Sequence, residues 1–343
     1  MLASGDQSAT RGFSLVEFMV AIAVGLVVLA VVVALYSSIS RSSAALTNAS
    51  QEIQNGSYAV RTLADDLRHA GYYGGAYSPL ASALAGLPDP CETNDMVALR
   101  AALALPVQGY DAPAASPIAC IPAADFVPGT DVLVLRRAST VVTPVAGLNA
   151  QDVYLQNNND WTDANNPVLN LGVGANFALL NRDGATAADI HKYFVRVYYV
   201  SRCHLYAAGA TACSAAADGG RPVPTLRMLE LGVGSGGGGA QMSSIALAEG
   251  VENFQVDYGV DTSGQGTAQN FVTSPASLAD WSNVTEIKLN FLVRNPQATP
   301  GYTDTKTYTL GLATPITPGG AFKRHVFTEH VRLTNVAEGR EAP

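Results

Sequence analysis

Between Phe13 and Tyr36 the chain reads FSLVEFMVAIAVGLVVLAVVVALY, and Glu17 is its single charged side chain. A carboxylate in such surroundings calls for charge pairing, because an unpaired acid at membrane depth costs a few kcal/mol. No Lys, Arg or His lies between Phe13 and Tyr36, so this stretch offers Glu17 no charged side-chain partner of its own. The other reactive side chains promise no catalysis. The histidines are His69, His191, His204, His325 and His330. His325 and His330 are an odd number apart on one expected strand, so they fall on opposite faces and do not share a metal. His204 adjoins Cys203, yet no second C-x-x-C or spaced histidine completes a zinc set. No G-x-S-x-G, H-E-x-x-H or paired catalytic carboxylate occurs, so all five histidines are expected to be solvated or hydrogen-bonded. The loop QNNNDWTDANNP, 156–167, lacks the D-x-D-x-D-G ladder of a calcium site. The run GVGSGGGGA, 232–240, lacks the Lys-Ser/Thr of a phosphate loop and reads as a flexible connection. No cofactor, no metal and no enzymatic activity are expected.

Charge and cysteine content narrow the setting. Only 14% of the 343 residues are Asp, Glu, Lys or Arg, against about 25% in typical domains. Net charge is −8, and removing 1–12 leaves it there because Asp6 and Arg11 cancel. An acidic chain is a poor nucleic-acid binder, since phosphate contacts need clustered cations. The pairs Arg136-Arg137 and Lys323-Arg324 read as solvated strand ends. Four cysteines in an exported domain imply two disulfides. The pairing Cys91–Cys120 and Cys203–Cys213 is expected, because each joins sequence neighbours inside one loop-rich segment.

The element that positions Glu17 is a long helix. Residues 13–36 span roughly 36 Å at ~1.5 Å per residue, enough to cross a ~30 Å hydrocarbon core. No small-x-small site closes the run as a secretory signal would. Beyond Tyr36, apolar residues recur every seven positions at Ile39, Leu46, Ile53, Val60 and Leu67, with a second row at Ala49, Gly56, Leu63 and Ala70. Such heptad spacing makes a packing seam. Its later part, Val60 to Ala70, is expected to pack on the chain's own domain; Ile39 to Ile53 is expected to meet neighbouring helices. The helix is expected to run from Phe13 to about His69 and to end at Gly71, Gly74 and Gly75.

Gly-Phe-Ser-Leu-Val-Glu at 12–17, ahead of that apolar run, resembles the class III signal of type IV pilins and type II secretion pseudopilins. The resemblance implies that a membrane peptidase cuts after Gly12 and methylates the new N-terminal Phe13. It also implies that Glu17 stays in the membrane helix as the assembly acid, facing the methylated N-terminus of an adjacent subunit. Major pilins commonly carry a proline in this half of the helix; this chain has Gly25 and no proline, so the likeness does not extend to a melted segment.

The remainder reads as strands and loops. Residues 71–128 are irregular. Strands are expected at 131–136, at 191–200 with Tyr193, Val195, Val197 and Tyr199 on one face, at 224–231, and at 248–261. Two more follow, TEIKLNFLVRN (285–295) and HVFTEHVRLTNV (325–336). The order LAEGVENFQVDYGVD, WSNVTEIKLNFLVR and VRLTN resembles the PilW family of minor pilins, over about 13–80 and 245–336. The middle, about 85–240, reads as this chain's own β-rich loops.

The fold expected is α+β and pilin-like: one long N-terminal helix, membrane-spanning in its first half, on a β-rich antiparallel domain. Its parts are a leader 1–12, a membrane and assembly helix 13–36, an amphipathic continuation 37–70 and a periplasmic domain 71–343. The resemblance implies a minor pilin that initiates or caps type IV pilus assembly. Its partners would be other minor pilins, the major pilin, the prepilin peptidase, the inner-membrane assembly platform and a large pilus-tip adhesin. It would start in the inner membrane and end in the pilus, at the tip. A minor pseudopilin of type II secretion has the same head, usually with a smaller domain. A receptor or adhesion module would have to occupy the middle region.

Overall fold

The computed structural model describes residues 12, 14–75, 84–160, 163, 166–210, 212–214, 218, 220, 222–233 and 239–341. Phe13, the leader before Gly12 and the glycines of 234–238 lie outside the described residues. Helix α1 runs from Leu15 to Arg68, within two residues of the span that its apolar pattern predicts. The chain divides into two compact units, one through Ser50 and one from Gln51 onward.

In the first unit α1 begins with a capping box. The Val16 N–H donates to Ser14 Oγ at 3.2 Å, and the Ser14 N–H donates back to Glu17 Oε2 at 3.0 Å. Two of the orphan donors at the helix start are thereby satisfied. From Leu15 to Tyr36 the large apolar side chains are all exposed.

Among the described residues the second unit holds two antiparallel sheets, four-stranded and seven-stranded. The larger comprises β1 (Val107–Tyr110), β2 (Val132–Val142), β3 (Val153–Gln156), β4 (Val168–Leu171), β5 (Ile190–Ser201), β6 (Thr225–Val233) and β7 (Ala240–Glu249). Strand β5 is its axis: β2 lies along one edge, while β3 and then β6 share the other. The smaller sheet has the order β11-β10-β8-β9, with β8 (Val251–Val260), β9 (Asn270–Val272), β10 (Val284–Arg294) and β11 (Arg324–Arg332). Short helices α2 (Met96–Ala101) and α3 (Leu278–Ser282) and a C-terminal α4 (Thr334–Glu341) complete it. One core joins Leu63 and Leu67 of α1 to Val134 of β2, Tyr198 of β5, Phe254 of β8 and Phe291 of β10. Phe254 and Phe291 are paired across the ladder and stacked with centroids 4.7 Å apart. Full burial of such side chains contributes about 1.5–3 kcal/mol each.

Several strand expectations change in detail. The stretch 248–261 is not one strand. It breaks at Gly250, whose φ of +82° and contact with the Arg294 carbonyl admit no side chain, so β7 ends in one sheet and β8 begins in the other. The last strand stops at Arg332: the Leu333 N–H closes the ladder on Thr285 O, and α4 follows with Val336 and Ala337 buried. Residues 71–128 are less irregular than their composition suggests. They hold β1 and α2, which is capped by the Asp95 carboxylate accepting from Val97 and Ala98 N–H. Strand β10 is covered on both faces, because Leu292 packs with Tyr308 and Leu310 while Asn290 is also buried. The 302–316 segment supplies that cover, which strand alternation alone does not reveal.

Candidate assembly site

The sequence points to α1 as the functional element, and its environment changes along its length. At its head, Gly12, Ser14 and Glu17 are exposed. Glu17 has a partner that the sequence reading overlooked: the Ser14 N–H, which follows the cut and survives it. The overlooked signal is the Ser-x-x-Glu spacing itself. A capped carboxylate keeps acceptor capacity, since each ionised carboxylate has about four lone-pair sites. The apolar stretch of this helix is long enough to cross a membrane, and none of it is buried in the protein. Ile39 and Leu46 continue the uncovered surface, 67% and 71% exposed.

In the second unit the helix turns into a structural member. Ile53 is still exposed, Val60 is half-buried and Leu67 is fully buried, with Ala59, Leu63, Ala64 and Ala70 beside it. The heptad rows therefore divide between an open part and a part consumed by the domain. Gly56 marks a close approach: a Cβ there would overlap the Phe327 ring, so glycine lets β11 pack this near.

A buried carboxylate fastens this part of the helix. Asp66 accepts from Arg137 Nε at 2.6 Å, Arg196 Nη1 at 2.7 Å and Tyr198 Oη at 2.6 Å. Arg196 also pairs with Glu230 at 2.6 Å, and both guanidiniums sit 4.8 Å from the Phe194 ring centre. Burial alone would lower the Arg196 pKa; Asp66 and then Glu230 more than reverse it, leaving it above its ordinary value. Burial, and next the Asp66 charge, hold the Tyr198 phenol well above its ordinary value, so it stays a donor. Neither Arg137 nor Arg136 is a solvated strand end. Arg136 is fully buried and donates to Leu105 O at 3.0 Å and Gln108 Oε1 at 2.7 Å. Arg324 is likewise buried, bound to Glu252 and to Asp304. Sequence reasoning missed the cluster because Arg in a strand looks exposed by default. One signal was present: Asp66 lies at helical spacing from Leu63 and Ala70, on the buried face.

Near the start of the same unit, Glu52 is buried on α1 and its pKa is pushed up to about 7 by burial, with nearby Lys323 opposing.

The disulfides are Cys91–Cys120 and Cys203–Cys213, with Cα separations of 5.5 and 5.7 Å. The five histidines are dispersed. His191 Nδ1 lies 2.8 Å from Ser139 O, His69 Nδ1 2.8 Å from Asp65 O and His330 Nε2 2.7 Å from Glu286. His204 contacts Glu249 at 3.1 Å, and His325 packs edge-on against Phe327. Among the described residues no three potential metal ligands converge.

Comparison with known proteins adds two matches. The family model described as Type IV Pilus-assembly protein W matches residues 197–335, and the Prokaryotic N-terminal methylation motif matches residues 7–33. The first begins within β5 and takes in β6 and β7, so the family pattern reaches into the stretch before 240 that reads, by sequence, as the chain's own. No curated protein and no solved structure matches the chain.

Proposed function

Given a chain of the PilW family of type IV pilins, marked by its pilus-assembly domain and its N-terminal methylation motif, we propose a minor pilin that initiates or caps pilus assembly. In this reading the prepilin peptidase cuts between Gly12 and Phe13, and Phe13 becomes the methylated N-terminus. Residues 13–36 hold the protein in the inner membrane with its sheets in the periplasm. From there it joins other minor pilins, the major pilin and the assembly platform, and stays at the pilus tip beneath an adhesin. Its role is structural and not catalytic.

The observation that carries this reading is the uncovered apolar surface of α1 from Leu15 through Leu46, headed by a single acid. That surface needs lipid first and partner helices later. Small residues such as Ala44, Ala45 and Ala49 let neighbouring helices approach closely and pack. An added ion pair between Glu17 and a neighbour's N-terminus would favour one axial stagger, since a charge left alone in hydrocarbon is costly.

The test is a complemented deletion strain expressing Glu17→Val or Glu17→Gln at native level. Cleavage and the periplasmic fold should be intact, while piliation and co-purification with other pilins fall. Normal piliation from Glu17→Val would make the acid dispensable and overturn its assembly role. A defect in cleavage alone would move that role to the peptidase.

A further inference from the structure

Among the described residues five strands lie at the edges of the two sheets, and four of them are protected. β1, β4 and β9 are three or four residues long. β11 has nine residues but carries Arg324, Glu329 and Arg332 along it. Short length and edge charges are how sheets avoid pairing with other chains. β7 has neither defence. It is ten residues long, AQMSSIALAE, without proline and without a charge before Glu249. Among the described residues only β6 pairs with it. On its far side, Asn55 Nδ2 donates to the Glu249 carbonyl at 3.1 Å, which marks the end of the open stretch.

A cleft of about 440 Å³ opens along the same strand, walled by Pro122, Tyr199, Tyr206, Leu229, Met242 and Ser244. The register explains its placement. Ser244 is opposite Leu229 and Met242 opposite Leu231, so both lie on the sheet face that carries Tyr199. The outer wall is fixed. The Arg227 guanidinium sits 4.0 Å over the Tyr206 ring and donates to Ser244 Oγ at 3.1 Å, while Tyr206 Oη donates to Asp125. An open backbone edge beside a side-chain pocket is the arrangement by which sheets take up an extended peptide, with affinity from the ladder and selectivity from the pocket.

We propose that β7 is a docking edge for an extended segment of another protein, which adds a strand along Met242–Ala248 and seats one bulky apolar side chain in this cleft. The wall chemistry, aromatic and aliphatic, selects that side chain, and the uncharged edge selects a segment without charges opposite it. A second copy of this chain fits poorly. In a two-fold β7–β7 pair the residues on the cleft face are Ala240, Met242, Ser244 and Ala246, of which only Met242 is bulky. This proposal does not depend on the role of Glu17.

Hydrogen exchange on the full chain in detergent tests it, with the end-blocked peptide KTVTFTVTK as probe and KTVTDTVTK as control. The phenylalanine peptide should slow exchange of amides within Met242–Ala248 about tenfold at 90% occupancy, and the aspartate peptide should leave them unchanged. Ser244→Lys should abolish the effect while β10 amides keep their protection, which shows that the variant is folded. Ile245→Glu, which places a charge on the opposite face, should do the same. Equal protection by both peptides, protection confined to β11, or none at millimolar peptide would overturn the proposal. So would protection of β7 that rises with protein concentration and needs no peptide, since the occupant would then be a second copy.

Discussion

Replacing Asp66 by alanine should destabilise the β-domain far more than any surface change. Asp66 is 4% exposed and accepts three hydrogen bonds, two from guanidiniums and one from a phenol. Removing it leaves Arg137 with the Ala138 carbonyl at 3.3 Å, leaves Arg196 with Glu230, and leaves the buried Tyr198 hydroxyl without an acceptor. Bonds to charged groups contribute about 1.5–3 kcal/mol each, and breaking a buried ion pair costs about 3–5 kcal/mol in total. The partners retained by both arginines place the expected loss in that range and not at the simple sum. Set against a total stability of about 5–15 kcal/mol, it is a large fraction. Asp66→Asn keeps an acceptor for Tyr198 and should lose about half as much. Urea unfolding of the full chain in detergent, followed by tryptophan fluorescence, measures both; Trp281 packs edge-on against Tyr258 at 4.8 Å and reports on the core. A loss below about 1 kcal/mol for Asp66→Ala, with an unchanged m-value, would refute the view that this cluster fastens α1 to the sheet.

Glu52→Gln should stabilise the domain by about 1–3 kcal/mol above pH 7. The folded pKa of Glu52 is raised from 4.5 to about 7, so the folded state holds the extra proton and stability falls as pH rises from about 4.5 to 7. The glutamine variant should lose that segment of pH dependence in urea titrations, and an unchanged profile would count against the burial of the acid. Leu46→Ser should leave unfolding unaltered and weaken co-purification with partner pilins, whereas Leu67→Ala should cost about 2–5 kcal/mol in unfolding; equal effects on stability would contradict the division of the seam. Cys203→Ser with Cys213→Ser should lower stability by roughly 3 kcal/mol, a figure that depends on the chain-entropy model, read from the shift in urea midpoint.

Much of this molecule is legible in its sequence because the governing signals are local. The absence of proline and the seven-residue apolar repeat define α1. Alternating Ile287, Leu289, Phe291 and Val293 define β10, and all four enter the core. What escapes is set by partners distant in sequence. Arg137 and Arg196 are drawn partly out of solvent because Asp66, far away in the chain, meets them. Asn290 is buried only because a later segment returns over it. At the head of α1 the miss was of another kind. The Ser14–Glu17 box is a four-residue pattern, visible as Ser-x-x-Glu.

The central claim is that a matured pilin subunit enters a fibre, and the N-terminal peptide of this protein in sheared pili tests it most directly. Mass spectrometry of that fraction should find a peptide beginning at N-methylated Phe13, with nothing retained from the leader before it. Recovery of the chain from pili with Met1 or any residue before Phe13 still attached, or with a cut inside the run from Leu15 to Tyr36, would contradict the account.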